Sequence, residues 1–201
     1  GNKFSAFQVS STPIDLTQVE AALASHKMLG QHNQDIQEGS RLNIPMEFVV
    51  KTYELKEWLA SLEERVKSIS LKSFETAERE LTEYENTVCQ IVAHYLSEQL
   101  PGYFQELALS IKDCDEATIE HSFKFFRKQV GPFLYQSYYS HRAYSKPLGY
   151  GGDFEMMNTV YLKEKRGDSL FARCMHNYFT DVPEAKAVRN RAKFLYDKIE
   201  K

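Results

Sequence analysis

The sequence predicts an all-α protein: a multi-helix bundle built on a long antiparallel helical hairpin, with a Tyr/Gly-rich loop leading into short C-terminal helices. Three observations predict it. Apolar residues recur at three- and four-residue intervals through several windows longer than 20 residues, the period of an amphipathic helix. Gly and Pro supply only 15 of 201 residues, about 7% against roughly 12% in an average protein. No run of β-branched residues alternates with the period of two that a half-buried strand needs.

The first helix is expected to open at Thr12-Pro13-Ile14-Asp15. Thr12 suits the N-cap, Pro13 the first helical position and Asp15 the positive end of the helix dipole. Ile14, Leu16, Val19, Leu23 and His26 follow as a loose stripe that ends near Gly30, and the polar stretch 31–43 reads as a linker. Pro45 opens a long helix with its core stripe at Met46, Val49, Val50, Tyr53, Leu59, Leu62, Val66 and Ile69. Ser73 is the expected cap of the next, whose stripe is Phe74, Ala77, Leu81, Tyr84, Val88, Ile91, Tyr95 and Leu100 before Pro101-Gly102 stops it. These segments of about 24 and 28 residues would be roughly 36 and 42 Å long. A short join makes an antiparallel hairpin their natural packing.

A third helix from Asp115 to about Val130 completes the bundle, with Ile119, Phe123, Phe126 and Val130 facing inward. Beyond Gly131-Pro132 the composition changes. Half of the 12 tyrosines and a third of the nine glycines fall between residues 135 and 161. Short helices are expected from Asp153 to Leu162 and from Ser169 to Tyr178. A last helix opens near Asp181-Val182-Pro183-Glu184, with Ala185, Val188, Ala192, Leu195 and Ile199 at helical spacing. The organisation is therefore an N-terminal helix and linker over 1–44, a long-helix bundle over 45–130, and the loop with its C-terminal helices over 131–201.

Hydrophobic residues make up 42% of the chain, enough to repay the entropy of ordering a core. A net charge of −3 gives no reason to expect nucleic-acid binding by counterion release. The longest apolar stretches, such as Phe48-Val49-Val50, fall far short of a bilayer span. Cys89, Cys114 and Cys174 are odd in number, widely spaced and free of any C-x-x-C pattern, which fits reduced thiols on helix faces in a cytosolic protein. The six histidines offer no i,i+3 or i,i+4 ligand pair, so no metal site is expected, and each reads as a surface or half-buried helical residue. Cys174 and His176 are two apart and point to different helix faces, against a Cys–His nucleophile within that segment. The charge runs at 63–65 and 78–80 read as solvated faces; the basic set Lys186, Arg189, Arg191, Lys193, Lys198 and Lys201 reads as the polar side of an amphipathic helix, with an anionic ligand or an acidic partner surface as the alternative.

The informative segment is 142–158, RAYSKPLGYGGDFEMMN. A glycine-rich turn here delivers the chain into a helix whose expected N-cap is Asp153. Neither GxGxxG nor GxxxxGK followed by Ser or Thr is present, and the Asp153 carboxylate would repel a phosphate, so no nucleotide loop is expected. Arg142, Tyr144, Tyr150, Gly151, Gly152, Asp153, Glu155 and Asn158 crowd this one segment. Loops so dense in charges and polar aromatics are where binding surfaces are found, and these eight residues are the candidate binding set, against the plainer reading of a structural turn packed by tyrosines.

The segment resembles the signature A-Y-x-K-P-x-G-Y-x-G-D-F/Y-E of bacterial S-adenosylmethionine-dependent methyltransferases often labelled extracellular-factor (3-hydroxypalmitic acid methyl ester) biosynthesis proteins. In that family a helical region carrying the signature precedes a class I methyltransferase domain. AKAVRNRAKFLYDKI at 185–199 is similar to the arginine-containing helix that leads into that domain. Leu148 stands where the family has a basic residue, and Gly151 where it often has Ala. The strand and glycine-rich turn that would bind the cofactor do not occur in the sequence. The chain opens on Gly1 rather than Met, and we expect it to be a piece of a longer protein.

The resemblance implies that these residues form the N-terminal helical region of such an enzyme, inactive alone. They would bind no cofactor themselves; S-adenosylmethionine is implied for the full-length protein and a downstream methyltransferase domain as the partner in cis. The signature loop would form a lid, with Tyr150 and Asp153 as polar contacts to the acceptor and Tyr144 and Phe154 as apolar walls. The alternative is a non-catalytic regulatory or interaction module that dimerises through the long helices of 45–100. An apolar stripe left exposed on those helices would favour it. A free-standing ligand-binding bundle is a third reading.

Overall fold

The computed structural model of the protein describes residues 43–71, 78–163 and 166–199. Within them it is all-helical: α1 (Met46–Leu71), α2 (Glu78–Ile111), α3 (Glu116–Leu134), α4 (Tyr138–Ser145), α5 (Phe154–Leu162), α6 (Leu170–Asp181) and α7 (Pro183–Ile199), with no strand among the described residues. The helix expected from Thr12, its linker up to residue 42, the expected cap Ser73, Phe74, Ala77 and the Leu81 side chain lie outside the described residues.

Helix α1 starts where Pro45 leaves its carbonyl to accept from the Val49 amide at 3.2 Å. Its buried seam is Phe48, Thr52, Leu55, Leu59, Leu62 and Val66, alternating intervals of four and three, with Val49 and Tyr53 beside it. That rhythm keeps one seam turned towards a neighbouring helix along its whole length. Thr52 is tolerated there because its hydroxyl donates to the Phe48 carbonyl at 2.8 Å. Met46 and Val50, expected in the core, flank this seam and are exposed.

Side-chain pairs give the directions of the long helices. Lys51 bridges Glu106 at 2.9 Å while Trp58 lies against Tyr95 and Tyr103, so α1 and α2 run antiparallel, as the hairpin requires. Lys56 reaches Gln129 and Gln136 reaches Glu63, both at a constant offset of 73 residues, so α1 and α3 run parallel. Two of the expected stops are not stops. Pro101 lies inside α2 and Pro132 inside α3. Each ring removes one backbone hydrogen bond, but Leu107 and Ile111 beyond the first, and Leu134 beyond the second, bury apolar surface that holds the helix on course.

The rotation of α2 and α3 about their axes also differs from the expected one. In α2 the buried residues are Val88, Cys89, Val92, Leu96, Leu100, Leu107 and Ile111, whereas Tyr84, Ile91 and Tyr95 are exposed. In α3 the seam is Thr118, Ser122, Phe125, Gln129 and Val130; Phe123 points outward, and Ile119 and Phe126 pack at the edge of the core. The cause is α6. This 12-residue helix buries eight of its residues, among them Phe171, Cys174 and Met175, and packs on both α1 and α2. It draws the buried face of α2 towards itself. One hydrophobic cluster therefore takes side chains from Ile44 through to Tyr178, from both the long helices and the C-terminal ones. Among the described residues no helix is long and apolar enough to cross a membrane.

Candidate functional site

The signature segment is anchored by a helix where a loop was expected. Ser137, fully buried, caps α4 by accepting from the Ser140 amide at 3.3 Å, and the eight residues Tyr138–Ser145 follow as a helix. Arg142 and Tyr144 thus sit on a helix. Lys146 takes the left-handed conformation that ends it, and the Lys146 carbonyl accepts from the Gly149 amide at 2.7 Å to turn the chain. Gly152 has φ +75, a backbone region that costs a side chain-bearing residue strain and glycine none. Asp153 then opens α5 as the expected N-cap, its carboxylate accepting from the Met156 amide at 3.0 Å. Met156, Thr159 and Val160 root α5 in the interior.

The two charged candidates at the heart of the segment meet each other. Arg142 Nε donates to both carboxylate oxygens of Asp153, at 2.8 and 2.9 Å, and Arg142 Nη1 donates to the Tyr138 hydroxyl at 3.4 Å. The Asp153 side chain is 1% exposed and that of Arg142 15%. The guanidinium beside it holds the Asp153 carboxyl below its ordinary value, with further help from the Met156 amide and against the effect of burial. Arg142 is held correspondingly above its own. A carboxylate occupied by a guanidinium and by its own helix is not an open contact for an acceptor. Asp153, expected to touch the substrate, is instead the tie that closes the loop between α4 and α5.

The remaining candidates face outward. Tyr144 stacks on Tyr135 with ring centroids 4.5 Å apart and still leaves about half its surface exposed. Tyr150, Phe154 and Leu148 are exposed, as are Gly151, Gly152 and Asn158, while Glu155 is half-buried. Braced and capped from within, the turn carries Leu148, Tyr150 and Phe154 on its outer surface, with Tyr144 of α4 beside them.

Between α4 and the start of α6 lies a cleft of about 480 Å³ lined by residues that include Tyr138, His141, Arg166 and Ser169. Arg166 lies over the Tyr138 ring at 4.6 Å. The sequence reading missed these residues. Tyr138 stands four before Arg142, a pairing visible only once Ser137 is recognised as a cap. His176, expected at or near the surface, is fully buried; its Nδ1 accepts from the Tyr139 amide at 3.4 Å because α4 packs directly over α6. Among the described residues no group of three or more His, Cys, Asp or Glu side chains is placed to hold a metal ion.

Helix α7 is fastened at its start and uncovered at its end. Arg189 donates to the Thr180 and Val160 carbonyls and to Asp181 Oδ1, the last at 2.8 Å. Asp181 also pairs with Lys163 and Lys186; burial alone would raise its carboxyl, but these cations outweigh it and hold it low. Further along, Phe194, Leu195, Tyr196 and Ile199 are all exposed, so Leu195 and Ile199 are not the core positions their spacing suggested. Compared with family models, characterised proteins and solved structures, the chain matches none.

Proposed function

We propose that this chain is the N-terminal helical region of an S-adenosylmethionine-dependent methyltransferase, working in a bacterial cytoplasm. On this reading the 146–154 turn is a lid over the acceptor pocket of a methyltransferase domain that follows in cis. The observation that carries it is the construction of the turn. It is fixed from behind by the buried Arg142–Asp153 pair and presents Leu148, Tyr150 and Phe154 outward, with Tyr144 beside them. Pre-set apolar and aromatic side chains exclude water and position an acceptor without a further ordering cost. Tyr150 supplies the polar contact, Tyr144 and Phe154 the walls, and Arg142 and Asp153 act as positioning residues. The uncovered end of α7, at Phe194, Tyr196 and Ile199, gives the catalytic domain a second surface to pack on. The cofactor is held by that domain and supplies the methyl group; this region contributes no cofactor contact.

The test is the full-length protein. Tyr150→Phe and Phe154→Ala are expected to lower methyl transfer while leaving the thermal midpoint of the helical region unchanged. Unchanged turnover in both removes the lid. Calorimetry of residues 1–201 with S-adenosylmethionine is expected to show no binding, and a reading frame lacking a glycine-rich strand–turn–helix after residue 201 removes the methyltransferase reading altogether.

One observation favours the second reading, a dimerising module without catalysis. Tyr84 and Ile91 leave an apolar stripe exposed along α2, continued by the half-engaged Tyr95, whose hydroxyl accepts from Trp58 Nε1. If this stripe is a homodimer interface, Ile91→Lys converts a dimer to a monomer in sedimentation. The lid reading by itself predicts no change.

A further inference from the structure

Helices α2 and α6 bring together two thiols that lie 85 residues apart in the chain. Cys89 Sγ and Cys174 Sγ are 3.2 Å from each other, and both side chains are buried. A disulfide is about 2.05 Å long, so an approach of roughly 1 Å separates contact from bond. The register that faces them is set on both sides. Arg173 Nη2 bridges Glu85 at 2.8 Å, and Asn177 Nδ2 donates to the Cys89 carbonyl at 3.3 Å. Polar ties one turn apart fix the sliding of α6 along α2 in the register that sets the two sulfurs together. Buried cysteines commonly serve as small apolar side chains. Two of them in sulfur-to-sulfur contact across the most closely packed helix pair offer a chemistry that single ones do not.

We infer that Cys89 and Cys174 form a modification site, a reversible disulfide that staples α6 to α2. With a peroxide as oxidant the step balances in two stages. One thiol, as its thiolate, attacks an oxygen of hydrogen peroxide; the O–O bond breaks, the sulfur becomes a sulfenic acid, and the departing hydroxide takes up the proton the thiol had lost, leaving as the first water. The second sulfur then attacks the sulfenic sulfur, the S–S bond forms, and the hydroxyl departs with the remaining thiol proton as a second water. Two electrons pass from the sulfurs to the peroxide, and a dithiol reductant returns them. The Cys89 thiol alongside, and burial, both push the Cys174 thiol above its ordinary value. The reactive thiolate is therefore scarce while α6 is seated, and oxidation waits on local opening of α6 from α2. Once closed, the bond fixes the helix against which α4 packs.

The full chain, treated with hydrogen peroxide and then unfolded under alkylating conditions, tests this. The expected result is an intact mass, read before alkylation, lower by two hydrogen atoms and a fall in alkylatable thiols from the three of the reduced chain to one. Peptide mapping should join Cys89 to Cys174 and leave Cys114 as the remaining thiol. The thermal midpoint should rise by about 5–15 °C, the effect of closing a long loop in the unfolded chain, and fall back with dithiothreitol. Cys89→Ala and Cys174→Ala should each abolish the rise, and Cys114→Ala should keep it. Three thiols still alkylatable in the wild-type chain, a mass gain from oxygen addition in place of the loss, or a bond to Cys114 would each overturn the inference. The wild-type mapping decides even if an alanine variant does not fold.

Discussion

One substitution, Gly→Ala, is expected to have three different outcomes around the signature turn, and the differences follow from backbone geometry. At Gly151 an added Cβ would meet only Lys146 Cε, at 3.9 Å, an ordinary contact, and the backbone is not left-handed. Alanine there restricts the unfolded chain and should stabilise by roughly 0.5 kcal/mol. At Gly152 there is open space around the Cβ, but φ is +75. A left-handed L-residue costs about 1–2 kcal/mol, and the entropy gain offsets part of it, so Gly152→Ala should destabilise by about 1 kcal/mol. At Gly167 φ is +152 and the Cβ would stand 2.7 Å from the Arg173 nitrogen and 2.8 Å from the Ala172 carbonyl carbon. Those atoms are backbone at the start of α6 and cannot swing aside. Backbone strain and overpacking together put Gly167→Ala at roughly 3–5 kcal/mol. Urea denaturation followed by circular dichroism reads all three, with an unchanged m confirming that stability alone has moved. Equal effects at Gly151 and Gly152, or a Gly167→Ala protein within about 1 kcal/mol of wild type, would refute the reasoning.

Two further outcomes concern the charged ties. Because Arg142 holds the Asp153 carboxyl low in the folded state, the unfolded chain takes up that proton first as pH falls. The pair's contribution is thus complete above the ordinary carboxylate value and is lost as pH drops through the folded one. Asp153→Asn should destabilise at neutral pH, and its stability gap from wild type should narrow below about pH 4 in denaturation series. A gap that widens in acid would contradict the pairing. Arg189→Met removes charged hydrogen bonds, each worth about 1.5–3 kcal/mol, that fasten α7 to the ends of α5 and α6. Amide exchange across 183–192 should quicken by roughly ten- to a hundredfold while α1 and α2 keep their protection; uniform quickening would mean that α7 does not open on its own.

Outside α4, the existence of the described helices and several of their starts were readable from the sequence because they rest on local chemistry. Asp115, Asp153 and Ser169 all cap helices where polar residues precede apolar ones. Helix rotation was not, since α2 carries two overlapping periodic sets. Tyr84, Val88, Ile91 and Tyr95 form one, and Val88 or Cys89, Val92, Leu96 and Leu100 the other. Periodicity ranks them equally, and the arrival of α6 from 80 residues downstream decides between them. Long-range burial also explains Pro101. A proline ends a helix when nothing beyond it is worth burying, and here Leu107 and Ile111 are buried. Helix α4 escaped notice for the opposite reason: YYSHRAYS has weak helix formers and no apolar stripe, and its stability comes from the Ser137 cap and from Arg142 reaching Asp153.

That last tie changes how the signature should be read. A crowd of charged and aromatic residues in a glycine-rich segment suggested ligand contacts, and the residue types alone cannot tell an outward contact from an inward brace. In the fold Arg142 and Asp153 satisfy each other, so substituting either would displace the turn and lower any activity that depends on it, whether or not a ligand ever touches them. Loss of function at those two positions therefore carries no information about contact. Residues that act as one brace are expected to be non-additive, with the Arg142→Met and Asp153→Asn double variant no less stable than the worse single one. Tyr150 and Phe154 have the reverse property. They are exposed, and neither forms part of that brace. An effect on activity at Tyr150 or Phe154 without an effect on stability would have to arise at the outer surface of the turn.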